Sequence, residues 1–157
     1  MHMKALSIYS PYASAIANGI KIIELRSWRT SYTGKLLICS TKENSNHKDM
    51  KDEFIFGKAL AVVDLIGCEP VQEQFLDFAL VDTDDPEYDF NDYKDLYAWG
   101  LDNIKPIKPF DVKGKLRLFD VDESQIEYLD IDLEKNPSAL QDYWLENGYI
   151  KIPAWEF

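Results

Sequence analysis

Apolar and polar positions along the chain change period several times, and each change predicts an element. Residues 4–8, Lys-Ala-Leu-Ser-Ile, read as a short strand. Ser10 suits the cap of a following helix and Pro11 its first position, where a missing N–H costs nothing. Tyr12, Ala13, Ile16 and Ala17 then recur at helical spacing, and Asn18-Gly19 supplies a left-handed stop. In the next segment the period falls to two. Ile23 and Leu25 share one face, whereas Glu24, Arg26 and Trp28 share the other. Lys21 stands just ahead of this strand, where periodicity does not fix a face. Thr33-Gly34 marks a turn, and residues 35–40 predict a strand pairing antiparallel with its predecessor.

Residues 42–57 are polar and mixed in charge, either a surface loop or a short helix ending at Gly57, with His47 as a solvated histidine rather than a ligand or base. Residues 59–66 are the most continuous apolar run and predict a central strand, interrupted by Asp64 as an exposed acid. A helix over 71–80 would bury Phe75, Phe78 and Ala79. The acidic segment 82–95 reads as a solvated loop with aromatic anchors, since it lacks the Asx-Gly signature of a calcium loop. Two strands follow, 96–101 and 112–119, around a connector at 104–110 whose Pro106 and Pro109 belong on an edge or in a loop. A helix opens at Asn136-Pro137 and runs through Trp144 to Asn147-Gly148, and 149–152 reads as an edge strand. Short strands close in sequence, with a few helices between them, predict an α+β fold whose small sheet curls into a barrel.

Length changes little in this picture: 157 residues suit one compact domain. No apolar run approaches the roughly 20 residues that span a bilayer, and the N-terminal residues lack a secretory cleavage pattern. A cytoplasmic protein is therefore expected. Cys39 and Cys68 lie in apolar runs without metal-ligand spacing, so reduced, buried thiols are expected and neither a metal nor a cofactor is.

Charge changes more. The net charge is −11, which opposes indiscriminate attraction to nucleic acid. Yet residues 1–58 carry nine Lys/Arg against five Asp/Glu, and residues 105–117 carry Lys105, Lys108, Lys113, Lys115 and Arg117 against Asp111 alone. Either these basic stretches scatter over the surface or folding gathers them into one anion-binding face. The strand after Gly19 also stands out chemically. A carboxylate, a guanidinium, an indole and an amine gathered there exceed the needs of a plain solvent face. The competing structural reading is a salt bridge between Glu24 and Arg26, with Trp28 and Trp99 as ordinary core residues.

The order Gly19-x-Lys21-x-x-Glu24-x-Arg26-x-Trp28-x-Thr30, preceded by Ala5-Leu-Ser-Ile-x-x-Pro-Tyr-Ala13 and followed by Gly34-x-Leu-Leu-Ile38, resembles the ASCH domain. The run from Tyr97-Ala-Trp-Gly-Leu through Lys108-Pro to Gly114-Lys-Leu resembles that family's closing strands. The resemblance covers about residues 4–121, leaving 122–157 as an extension packed on one ASCH-like domain spanning 1–157. It implies a PUA-like small β-barrel with a few peripheral helices and a cleft that binds RNA, a nucleotide or a modified nucleoside. Ligand contacts would fall to Lys21, Glu24, Arg26, Trp28, Arg29 and Thr30, joined by Tyr12 and Trp99. Arg26 and Lys21 would hold phosphate or a base edge, Glu24 would accept from an exocyclic amine, and Trp28 would stack.

Some small proteins similar to this family are ribonucleases, and others are amidohydrolases of acylated cytidine that use a lysine, a threonine and a glutamate. Lys21 matches the lysine position, while Glu24 occupies the threonine position, and a carboxylate does not replace an attacking hydroxyl. In an enzyme, Lys21 and Glu24 would form the acid–base pair. A third class, an adaptor that binds through the acidic 82–95 loop, rests on surface acidity alone.

Overall fold

The computed structural model describes residues 1–42 and 50–157. Among the described residues, six strands and two α-helices appear in the order β1 (His2–Ile8), α1 (Tyr12–Ala17), β2 (Ile23–Arg26), β3 (Gly34–Ser40), β4 (Lys58–Pro70), β5 (Tyr97–Asp111), β6 (Phe119–Asp122) and α2 (Ala139–Glu146). They form one mixed sheet in the order β2-β5-β4-β3-β1-β6, with β1 and β3 parallel and the other pairs antiparallel. Among the described residues no ladder joins β2 to β6, so the sheet is open at two four-residue edge strands and the expected closed barrel is not formed. The α+β class stands.

The centre of the sheet is buried on both faces. Leu6, Ile8, Leu36, Ile38, Leu60, Val63 and Trp99 pack with Ala13, Ile16 and Ala17 of α1 on one side. Met3, Ala5, Leu37, Cys39, Ala59 and Val62 pack with Ile107, Phe119 and Val121 on the other. Two-sided burial is why 35–40 and 59–66 read as continuous apolar runs rather than alternating ones. Leu140 and Trp144 of α2 and Ile150 beyond it enter the first of these clusters, so the residues after 121 contribute to the core. Both cysteines are free; burial pushes the Cys39 thiol up to about 12.

Several local expectations change. Ser10 does not cap α1: its hydroxyl donates to the Ile55 carbonyl at 2.9 Å, and the helix starts after Pro11 without a side-chain cap. β3 pairs with β1 and β4 rather than with β2, because α1 returns the chain parallel to β1 and β2 leaves to pair with β5. Residues 104–110 are not a connector but the second half of the fifteen-residue β5. The prolines are tolerated because β2 pairs only with 97–100, which leaves this half as an edge on that side. There the Pro106 carbonyl accepts from Leu129 N–H, and the ladder to β4 shifts register.

Residues 112–118 form no strand and 149–152 no edge strand; Lys151 and Ile152 N–H groups instead donate to the Asp52 carbonyl. The 71–80 segment folds as a 3-10 helix, Glu73–Ala79, which buries Leu76 and Ala79 and leaves Phe78 half exposed. The 82–95 segment is a chain of Asx turns at Asp82, Asp85 and Asp89, anchored by Tyr88, Phe90 and Tyr93. Asp64 accepts from Asn103 rather than sitting free. His47 lies outside the described residues.

Trp144 is fully buried and its indole N–H has no hydrogen-bond partner among the described residues. Trp144→Ala is therefore expected to lose about 3–5 kcal/mol in urea unfolding, whereas Trp144→Phe, which keeps a ring and removes the unpartnered donor, should lose clearly less.

Candidate functional site

Gly19 adopts φ +76°, and the turn it makes after α1 lets the Ile20 and Lys21 N–H groups both donate to Ala15 O. This geometry drives Lys21 inward. Its side chain is 3% exposed, and Nζ donates to Ala79 O at 2.8 Å and lies 3.4 Å from Glu24 Oε1. The carbonyl is aimed there by the end of the 3-10 helix, where Leu80 turns the chain in the left-handed region at φ +63°. Glu24 is itself buried, at 6%, and its second oxygen Oε2 lies 3.4 Å from Arg26 Nη1. One carboxylate thus stands between two cations. The Tyr12 ring lies 5.3 Å from the ammonium and closes the same side.

The alternation read from the sequence explains the placement. Ile23 and Leu25 pack against Val71, Leu76 and Ala98, so Glu24 and Arg26 point the opposite way, into a cleft of about 490 Å3. Trp28 lines that cleft, its ring centroid 4.7 Å from that of Trp99 in an edge-to-face contact at 83°. Trp99 is 0% exposed and donates from Nε1 to Trp28 O at 3.4 Å. It therefore supports the cleft from behind and does not line it. Arg29 is exposed and outside the lining, and Thr30 Oγ1 accepts the Tyr32 N–H in a local turn. Of the eight sequence candidates, Tyr12, Lys21, Glu24, Arg26 and Trp28 are brought together.

The sequence reading missed other walls. Tyr9, Leu80, Asp82, Tyr93 and Leu96 line the same cleft. Tyr93 and Leu96 belong to or border the segment read as a solvated acidic loop, and its noted aromatic anchors were the signal. Arg117 also reaches the site, its guanidinium carbon 4.9 Å from the Trp28 ring, closer than that of Arg26 at 5.9 Å. The basic stretch around 117 thus does meet the motif strand, through this residue.

A larger cleft of about 950 Å3 lies elsewhere, between the α1 terminus, β5 and residues 131–137. Its polar lining includes Asp102, Asp132 and Glu134, and it contains none of the candidate residues. Size alone favours it, but the converging cations, carboxylate and aromatics are all in the smaller one, which falls in the roughly 300–1,000 Å3 range of small-ligand sites. Among the described residues no group of three His, Cys, Asp or Glu side chains is placed to hold a metal, and no helix is long and apolar enough to cross a membrane.

Comparison with known proteins identifies the family of the chain. The ASCH domain model matches residues 6–110, two-thirds of the chain and all of the motif strand. The chain belongs to the ASCH domain family. This ASCH domain is 31% identical over 94 residues to Activating signal cointegrator 1 of Mus musculus and 30% identical to that of Homo sapiens. Those matches cover 47% of this chain but only 16% of each relative. Among solved structures, ASCH from Zymomonas mobilis superposes with a TM-score of 0.55 at 15% identity, covering 77% of this chain and 88% of that one. A single-substitution mutant of the same protein gives 0.55 at 14%, covering 79% and 98%. At these identities the structures establish the shared fold.

Burial holds the Lys21 ammonium below its ordinary 10.5, while the charge and hydrogen bond of Glu24 pull it partly back. The folded protein therefore gives up this proton before the unfolded chain does. Between the folded pKa and 10.5 the unfolded state binds more protons, so this group's contribution makes stability rise with pH. The expected outcome is that wild type gains stability relative to Lys21→Met as unfolding is repeated at rising pH from 7 to 10; a pH-independent difference would contradict the burial argument.

Proposed function

We propose that the cleft binds RNA or a nucleotide through one unpaired base. The observation that carries this reading is the buried Glu24 carboxylate, held between Lys21 and Arg26 on the floor of a cleft walled by Tyr12, Trp28 and Tyr93. A nucleobase presents a planar apolar body with donors and acceptors on one edge, and this site is complementary on both counts. Glu24 accepts from an exocyclic amine. Lys21 has three N–H donors, and the two partners already named leave one for a ring nitrogen or carbonyl. Trp28, fixed by Trp99, offers a rigid stacking surface. The resemblance to a family with a proposed RNA-binding role supports the same reading. The net charge of −11 and Asp82 in the lining restrict it to a short footprint, because a long backbone-tracking groove needs more positive surface.

One observation favours a second reading as a small hydrolase acting on RNA or a modified nucleoside. A buried amine with a lowered pKa is poised for general acid–base work, with Glu24 as its partner. Binding without turnover and binding followed by turnover separate the two.

Indole and amide NMR signals of residues 19–30 are expected to shift on titration with single nucleosides, acetylated cytidine and short RNA. Trp28→Ala should weaken binding by about 5- to 150-fold, the equivalent of the roughly 1–3 kcal/mol of one base–aromatic stack. No shift with any of these ligands would refute the base-binding cleft. Product in the titrated mixtures, lost in Lys21→Arg while the shifts persist, would establish the hydrolase instead.

A further inference from the structure

Residues 112–118 join β5 to β6 and hold Lys113, Lys115 and Arg117 without a carboxylate. All three cations are exposed, and none of them forms an ion pair among the described residues. Elsewhere in this acidic protein Lys4, Lys58, Lys108, Lys135 and Lys151 each stand beside an aspartate or glutamate. Three exposed cations without a carboxylate partner among the described residues thus fall within five residues, next to the cleft.

Two contacts fix it there. The Gly114 backbone lies so close to Ser7 that a Cβ would collide with the serine Oγ, and Ser7 directly precedes Ile8 and Tyr9 of the cleft lining. Three residues on, Arg117 adopts a left-handed backbone at φ +58° and lays its guanidinium over Trp28. Leu116, between two cations, is 94% exposed. The whole segment lies beyond the 6–110 span matched by the family model.

We propose that residues 112–118 grip the phosphodiester backbone of the strand whose base enters the cleft, so that the ligand is a short single-stranded RNA rather than a free nucleoside. This rests on the base-binding reading above. Arg117 serves both parts: its guanidinium carbon lies 4.9 Å from the Trp28 ring centroid, and its N–H groups fork toward a phosphate. Lys113 and Lys115 act as point charges for neighbouring phosphates. Tyr9, 62% exposed at the rim, offers a further face to an adjacent base. Three cations make a small electrostatic footprint, compatible with the acidity of the rest of the chain.

The test compares a panel of the four nucleosides, their 3′-monophosphates and a mixed-sequence RNA hexamer, read by tryptophan fluorescence and the Trp28 indole signal at several salt concentrations. The hexamer is expected to bind at least about tenfold tighter than the nucleosides, with the monophosphates between them. In the triple variant Lys113→Gln, Lys115→Gln, Arg117→Gln most of that gain should disappear. The slope of log affinity against log salt should flatten by about 2, at roughly 0.7 per phosphate contact. Gly114→Val removes no charge but sets a β-branched side chain against Ser7, and it should weaken the hexamer in the same direction. A hexamer that keeps its gain and its salt slope in both variants would overturn this proposal while leaving base binding intact. Silence of the Trp28 signal toward every ligand, the hexamer included, would instead overturn the cleft reading on which it rests.

Discussion

The buried ion group of Lys21, Glu24 and Arg26 is the constraint on which the site depends. Removing a carboxylate and an ammonium from water costs several kcal/mol per ion, and only close partners and further hydrogen bonds offset it. Each partner here comes with a structural requirement. Lys21 needs the left-handed Gly19 turn after α1, Glu24 needs the outward phase of β2, and the Ala79 carbonyl needs the left-handed Leu80. A leucine at φ +63° costs about 1–2 kcal/mol, and it persists because the carbonyl it positions satisfies an otherwise stranded ammonium proton. Two segments distant in sequence, 19–26 and 79–80, are thereby tied at one point.

The sheet supplies the rigidity that this group requires. β1, β3 and β4 are packed on both faces, and the cleft sits where β2, the short edge strand, meets the end of that core. Trp99 is the hinge between the two regions. It opposes Glu24 in the β2–β5 ladder, fills the core completely, and holds Trp28 by a ring contact and a hydrogen bond. A tryptophan without solvent contact thus shapes a solvent-facing site. On the outside, Leu80 and Arg117 are two of the three non-glycine residues with left-handed backbone among the described residues, and both border the cleft. Strain of this kind is concentrated where geometry matters for a ligand.

How far the sequence reached differs between elements for physical reasons. The phase of β2 was legible because a period of two leaves a single choice of face once Ile23 and Leu25 are assigned to the core. α1 and the Gly19 stop were legible because both signals are local. The pairing of β3 was not, since strand neighbours are chosen by long-range packing and not by the length of the intervening turn. Nor was the proline-containing half of β5, because tolerance for proline depends on whether a partner strand is present on that side.

By itself, the sequence determined the α+β class, the family and the face that Glu24, Arg26 and Trp28 share, all consequences of local periodicity and residue order. Tertiary structure alone decided that the sheet stays open, that Trp99 supports rather than lines the cleft, and that Tyr93 and Arg117 join it. Those outcomes depend on contacts between residues tens of positions apart, and such contacts are settled by what can be buried together, for which a linear pattern holds no coordinate.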